Sequence, residues 1–188
     1  MALLFQYGSN CDITRLNAPQ RLRGAAINPR LAQTVGEYDI AFNVWSNGNA
    51  CAASNLKSTE ARHAWGVLYD IPNDRLTGRG PADTKTMEQI EGQRYEAKQI
   101  TVRTLDGQEV PATTFLVKRQ DEAEGLWTSR EYVKHIVDGL RANDAPEEYV
   151  QHVIDVAIAT NERATPKAWE DRLRRALNRS RSGVCSDK

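Results

Sequence analysis

Two short stretches carry residue types suited to chemistry. Tyr7-Gly8-Ser9-Asn10 follows the apolar run Leu3–Tyr7. A glycine turn directly after a strand can aim successive backbone N–H groups into one concavity, a nest for a carboxylate or a developing oxyanion. Ser9 and Asn10 add side-chain donors there, although the same tetrapeptide serves equally as a turn that ends a strand. The second stretch is Glu91-Gly92. If Asp83 or Thr84 caps a short helix through Met87 and Ile90, Gly92 is its left-handed terminator. Glu91 then lies in the last turn, where the helix end opposes ionisation and raises a carboxyl toward general-base range. A glutamate before a C-cap glycine is also an ordinary surface residue.

The elements that must position these residues divide by half. Strands are predicted over Leu3–Tyr7, Tyr38–Trp45, Ala50–Leu56, Trp65–Ile71, Lys98–Thr104 and Val110–Lys118. Ser46-Asn47-Gly48-Asn49 and Asp106-Gly107 read as tight hairpins, with Asn-Gly supplying positive φ. Two helices follow. Thr128-x-x-Glu131 has the capping-box form, and Val133, Ile136, Val137 and Leu140 share one face behind it. Pro146 opens the next, with Tyr149, Val150, Val153, Ile154 and Ala157 facing inward. A third is predicted from Thr165-Pro166, with Trp169, Leu173, Ala176 and Leu177 on one side. It belongs to a basic tail, and Ser180–Lys188 reads as a flexible end.

The chain has 188 residues, 25 basic and 25 acidic, for a formal charge of zero. That excludes the basic field of a whole-domain nucleic-acid binder. No apolar run reaches the roughly 18 residues of a membrane span, so no membrane partner is expected. Cys11, Cys51 and Cys185 are widely spaced, and the first residues lack a signal-peptide pattern, which together predict a reducing, cytoplasmic compartment. His63, His135 and His152 lie far apart, so neither a metal nor another cofactor is expected.

Taken in order, Tyr7-Gly8-Ser9-Asn10, Trp65-Gly66-Val67-Leu68-Tyr69, Glu91-Gly92, Ser129-Arg130-Glu131-Tyr132 and Pro146-Glu147-Glu148-Tyr149 resemble the γ-glutamylcyclotransferase (AIG2-like) family. The resemblance spans about residues 1–160, leaving 161–188 as a basic C-terminal helix and tail. It implies an α+β fold: a small mixed β-barrel with surrounding helices. It also implies a reaction, closure of a γ-glutamyl amide to 5-oxoproline with release of an amine. Glu91 would be the general acid/base, Tyr7, Gly8, Ser9 and Asn10 would hold the substrate, and Tyr132 would help position it. The partner would be a small γ-glutamyl substrate, and a homodimer is left open.

Two residues depart from the family pattern. Cys11 stands where an apolar residue is usual and reads as packing, and Phe115 stands where some members carry a tyrosine. The polar segment 73–86 reads as a loop over the site that sets leaving-group specificity. Two other functions compete with the cyclotransferase. One is a non-catalytic small-molecule-binding or interaction module using the same loop. The other, weaker for want of a histidine base in a motif, is a hydrolase using Ser9 or Cys11.

Overall fold

The computed structural model describes residues 1–60, 62–80 and 84–165. The predicted third helix and tail, and Asp83 as a cap, lie outside them. Five strands close a barrel: β1 (Ala2–Gln6), β5 (Trp65–Ile71), β2 (Ile27–Thr34), β6 (Tyr95–Thr104) and β7 (Glu109–Val117), in that spatial order. Neighbours pair antiparallel except at the closure, where β7 meets β1 in parallel with Leu4 opposite Thr113. The barrel is therefore mixed. A separate antiparallel ribbon joins β3 (Tyr38–Ser46) to β4 (Cys51–Ser58).

Trp65–Ile71 is a central strand because its apolar residues suit burial: Val67, Leu68, Tyr69 and Ile71 are fully covered. Strand β2 escaped prediction. Pro29 donates no N–H, and the pairing register shifts between Ile27 and Arg30 beside Asn28, whose φ is 51°. Proline and a bulge disguise a strand in this way. The ribbon turn also differs from expectation. Strands β3 and β4 are joined by residues 47–50, and the positive φ falls on Ala50 rather than on the Asn-Gly pair. Ser46 Oγ instead organises the turn by accepting from the Asn49 backbone and side-chain amides.

Among the described residues four α-helices surround the strands: α1 (Ile13–Leu16), α2 (Met87–Glu91), α3 (Arg130–Arg141) and α4 (Glu147–Glu162). The four residues of α1 are too few for periodicity to show. For α3, the cap is one residue later than predicted. Ser129 Oγ accepts from Tyr132 N, whereas the buried Thr128 hydroxyl donates to Ala52 O at 2.8 Å. Its predicted apolar face is buried as expected. Gly139 lets α3 approach closely: a Cβ there would overlap the backbone of Cys11 and Asp12. No helix among the described residues is long and apolar enough to cross a membrane.

Candidate active site

The chain leaves β1 through Tyr7 and Gly8 and enters a single 3₁₀ turn, Ser9–Cys11, with Asp12 capping α1. Hydrogen bonds from several sides fix this turn and the cap that follows it. Tyr69 Oη, fully buried on β5, donates to the carbonyls of Asn10 (3.1 Å) and Cys11 (2.8 Å). Cys11 Sγ donates to Gln6 O. Asp12 accepts from Thr14 N and Arg15 N through one oxygen and meets His135 Nδ1 of α3 through the other, at 2.7 Å. Cys11 N donates to Gly8 O, so that amide is committed within the turn.

Gly8 is needed for a reason other than the turn geometry first expected. Its φ is −101°, open to any residue. A Cβ there would instead overlap Ser54 Oγ and lie 3.6 Å from Tyr132 Oη. Gly8→Ala is expected to cost about 1–3 kcal/mol by overpacking. Ser54→Ala in the same chain should recover part of that loss, because it removes the obstructing atom. Thermal melts of the two single variants and the double variant check this coupling.

Glu91 arrives from the other side. Helix α2 is capped by Thr86, not by Asp83 or Thr84: Thr86 Oγ1 accepts from Gln89 N while Gln89 Oε1 accepts from Thr86 N. Gly92, at φ 82°, ends the helix with its N–H on Glu88 O. Glu91 Oε1 accepts from Asn10 Nδ2 at 2.8 Å, which joins the two chemical stretches across 81 residues. The Glu91 carboxyl is raised above its ordinary range chiefly by burial, against the lowering effects of Arg21, the Asn10 hydrogen bond and Arg15. The predicted direction thus holds, but desolvation is its leading cause.

Ser9, Asn10, Glu91 and Tyr132 line one cavity of about 660 Å³. Tyr7 and Gly8 are not among its lining residues. Tyr7 is buried, with its hydroxyl donating to Phe115 O at 2.6 Å, so it braces the turn against β7. Tyr132 Oη accepts from Ser54 N at 3.1 Å and lies 3.0 Å from Ser54 Oγ, and burial holds its phenol well protonated.

Phe115 packs in the core and does not line the cavity; Tyr95 does, its hydroxyl donating to Ser54 O. None of the described residues of 73–86 lines it either. That segment is bound to α2 through Gly78 N on Glu88 Oε2 and closed on itself through Thr86 Oγ1 on Gly78 O. The wall expected there comes from the ribbon turn, Val44–Asn49.

Sequence reasoning missed the arginines. Arg15, Arg21 and Arg94 all line the cavity. Arg15 donates to Asn49 Oδ1 at 2.7 Å, Arg94 to Trp45 O, and Arg21 to Asn10 Oδ1. Each lies outside any periodic pattern, and only the tertiary fold turns it inward. Cys11 lies outside the cavity, and burial pushes its thiol up to about 12. Cys11→Ala should keep most of the activity measured for the parent, and the folded parent should resist alkylation at Cys11. A peptide-mapped alkylation assay checks the second point.

Fold and cavity together define a closed mixed barrel with a half-buried carboxyl, Glu91, facing a polar, arginine-lined pocket. The resemblance to the γ-glutamylcyclotransferase (AIG2-like) family holds: residues 63–153 match the model of the AIG2-like family. No curated protein matches the sequence. A solved gamma-glutamyl cyclotransferase shares the fold with a TM-score of 0.65 and 19% identity, over 81% of this chain and 85% of that one. An uncharacterized protein from Homo sapiens gives 0.63 and 20% over the same shares. YkqA from Bacillus subtilis gives 0.65 and 19%, over 85% of this chain but 55% of its own.

Proposed function

We propose that the protein converts a γ-glutamyl amide to 5-oxoproline and a free amine. The observation that carries this reading is the placement of Glu91: a half-buried carboxyl, raised above its ordinary range, against the Ser9–Cys11 turn and open to the cavity. Such a carboxyl is basic enough to take a proton and acidic enough to return it.

The reaction needs only that exchange. Glu91 takes a proton from the substrate's α-ammonium. The freed amine attacks the γ-carbonyl carbon, forming the new C–N bond of a five-membered ring, and the carbonyl electrons move to oxygen. As the tetrahedral centre collapses, the bond to the leaving nitrogen breaks and Glu91-H gives that nitrogen its proton; the attacking nitrogen, now in the ring, loses its second proton to Glu91, which passes it to the released amine. The nucleophile is tethered to its target, so much of the catalytic work is holding the substrate folded. Ser9 and Tyr132 supply hydroxyls on the cavity wall. Tyr7 and Gly8 serve by shaping the turn. Asn10 acts through Glu91, since its amide already donates there. A partner that binds without chemistry would gain little from a half-buried carboxyl next to an anionic ligand, which favours the enzyme over the binding module.

Incubation with a panel of γ-glutamyl amino acids and γ-glutamyl amines, followed by mass spectrometry, tests the proposal. Accumulation of 5-oxoproline from at least one member, absent with Glu91→Gln, is expected. No product from any member would overturn it.

A further inference from the structure

The link between Arg21 and Glu91 points beyond the reaction itself. Asn10 is buried, 3% exposed, and its two amide ends face opposite demands. Its Oδ1 accepts from Arg21 Nη2, and its Nδ2 donates to Glu91 Oε1. A guanidinium can only donate, and an ionised carboxylate can only accept. Only one orientation of the Asn10 amide satisfies both, and Arg21 dictates it. We propose that Arg21 is a positioning residue that orients Asn10 and thereby fixes Glu91 for proton transfer, an inference that rests on the cyclotransferase reading.

Arg21 acts on Glu91 by charge as well as through Asn10. Burial disfavours the ionised carboxyl, and the Arg21 charge is the largest effect opposing burial. The other charged or titratable groups facing Glu91 are Arg15 on α1, Tyr7 just past the end of β1, Tyr132 on α3, Tyr95 on β6 and Arg94 just before it. The three tyrosines are all raised by burial and stay neutral, so they do not replace the lost charge. Arg15 is tied to Asn49 and Arg94 to Trp45, and neither donates to Asn10. Without Arg21, the Asn10 amide loses the partner that sets its direction, and Glu91 loses its strongest support as a base. The sign follows: Glu91 should hold its proton to higher pH.

The test follows the Glu91 carboxyl directly, in ligand-free full-length protein. Selective ¹³C labelling of glutamate, with Glu91→Gln to assign the resonance, gives its titration midpoint. In Arg21→Met the midpoint should rise by about one pH unit or more, the usual scale for losing a nearby opposite charge. The acid limb of kcat/KM should move by the same amount. Arg21→Lys keeps the charge without the fork, so its midpoint should fall between the two. Arg21→Gln keeps an N–H donor for Asn10 and serves if the methionine variant does not fold. A midpoint unchanged or lowered in the folded Met or Gln variant would overturn the inference. An unmoved midpoint in a protein that makes 5-oxoproline would sink the role of Arg21 alone. No 5-oxoproline from any substrate would sink the reaction, whatever the midpoint does.

Discussion

Glu91→Gln is expected to fold like the parent and to lose about 10²–10⁴ of its turnover, the usual cost of removing a general acid/base. The amide oxygen of glutamine can still accept from Asn10 Nδ2, so the local hydrogen bond survives while proton exchange does not. Stability should move the other way. The folded protein raises the Glu91 carboxyl above the ordinary value of 4.5. A group raised on folding favours the folded state only while protonated, and that advantage is lost as pH rises through its folded value. Glutamine never ionises. The variant should therefore melt at or above the parent at neutral pH, and the gap should close below about pH 4, where the parent carboxyl is protonated in both states. Steady-state rates and melts at both pH values check the two halves. Turnover near that of the parent would remove Glu91 from the chemistry.

Gly139→Val should produce the largest loss of stability. A Cβ at this position would overlap the carbonyl carbon and oxygen of Cys11 and the nitrogen of Asp12. These are backbone atoms held by Tyr69 and by the α1 cap, so no rotamer change relieves the contact. Overpacking costs typically about 1–3 kcal/mol, and a clash with fixed backbone belongs at the upper end. A loss of about 3 kcal/mol, at roughly 2–4 °C per kcal/mol for a chain of this size, lowers Tm by about 6–12 °C. Activity should fall as well, because α3 and the Ser9–Cys11 turn would be forced apart. A melt within 2 °C of the parent would show that the turn and helix are less tightly packed than described here.

The parts of the fold legible in sequence are those whose signal is local. Trp65–Ile71 matches its predicted bounds, the Asp106-Gly107 hairpin forms with Gly107 at φ 84°, and the buried face of α3 follows from helical spacing. Strand β2 was hidden because its identity depends on partners either side, β5 and β6, while its own residues include Pro29 and a bulge. The site was legible to the same extent. Glu91 and Asn10 stood out as candidates and meet at 2.8 Å. The part played by Tyr7 was not readable, because the partner of its hydroxyl, Phe115 O, is 108 residues away. Arg15, Arg21 and Arg94 carry no local signal, and only the tertiary fold brings them around one carboxyl.

Intramolecular attack is the central claim, and an isotope experiment tests it most directly. The active protein is incubated in H₂¹⁸O with a γ-glutamyl substrate that it consumes, and the products are weighed by mass spectrometry. Ring closure by the substrate's own amine uses no water. The account therefore predicts 5-oxoproline carrying no ¹⁸O, in amounts that match the released amine. Free glutamate carrying one ¹⁸O in its γ-carboxyl would show that water is the nucleophile, and would contradict the mechanism.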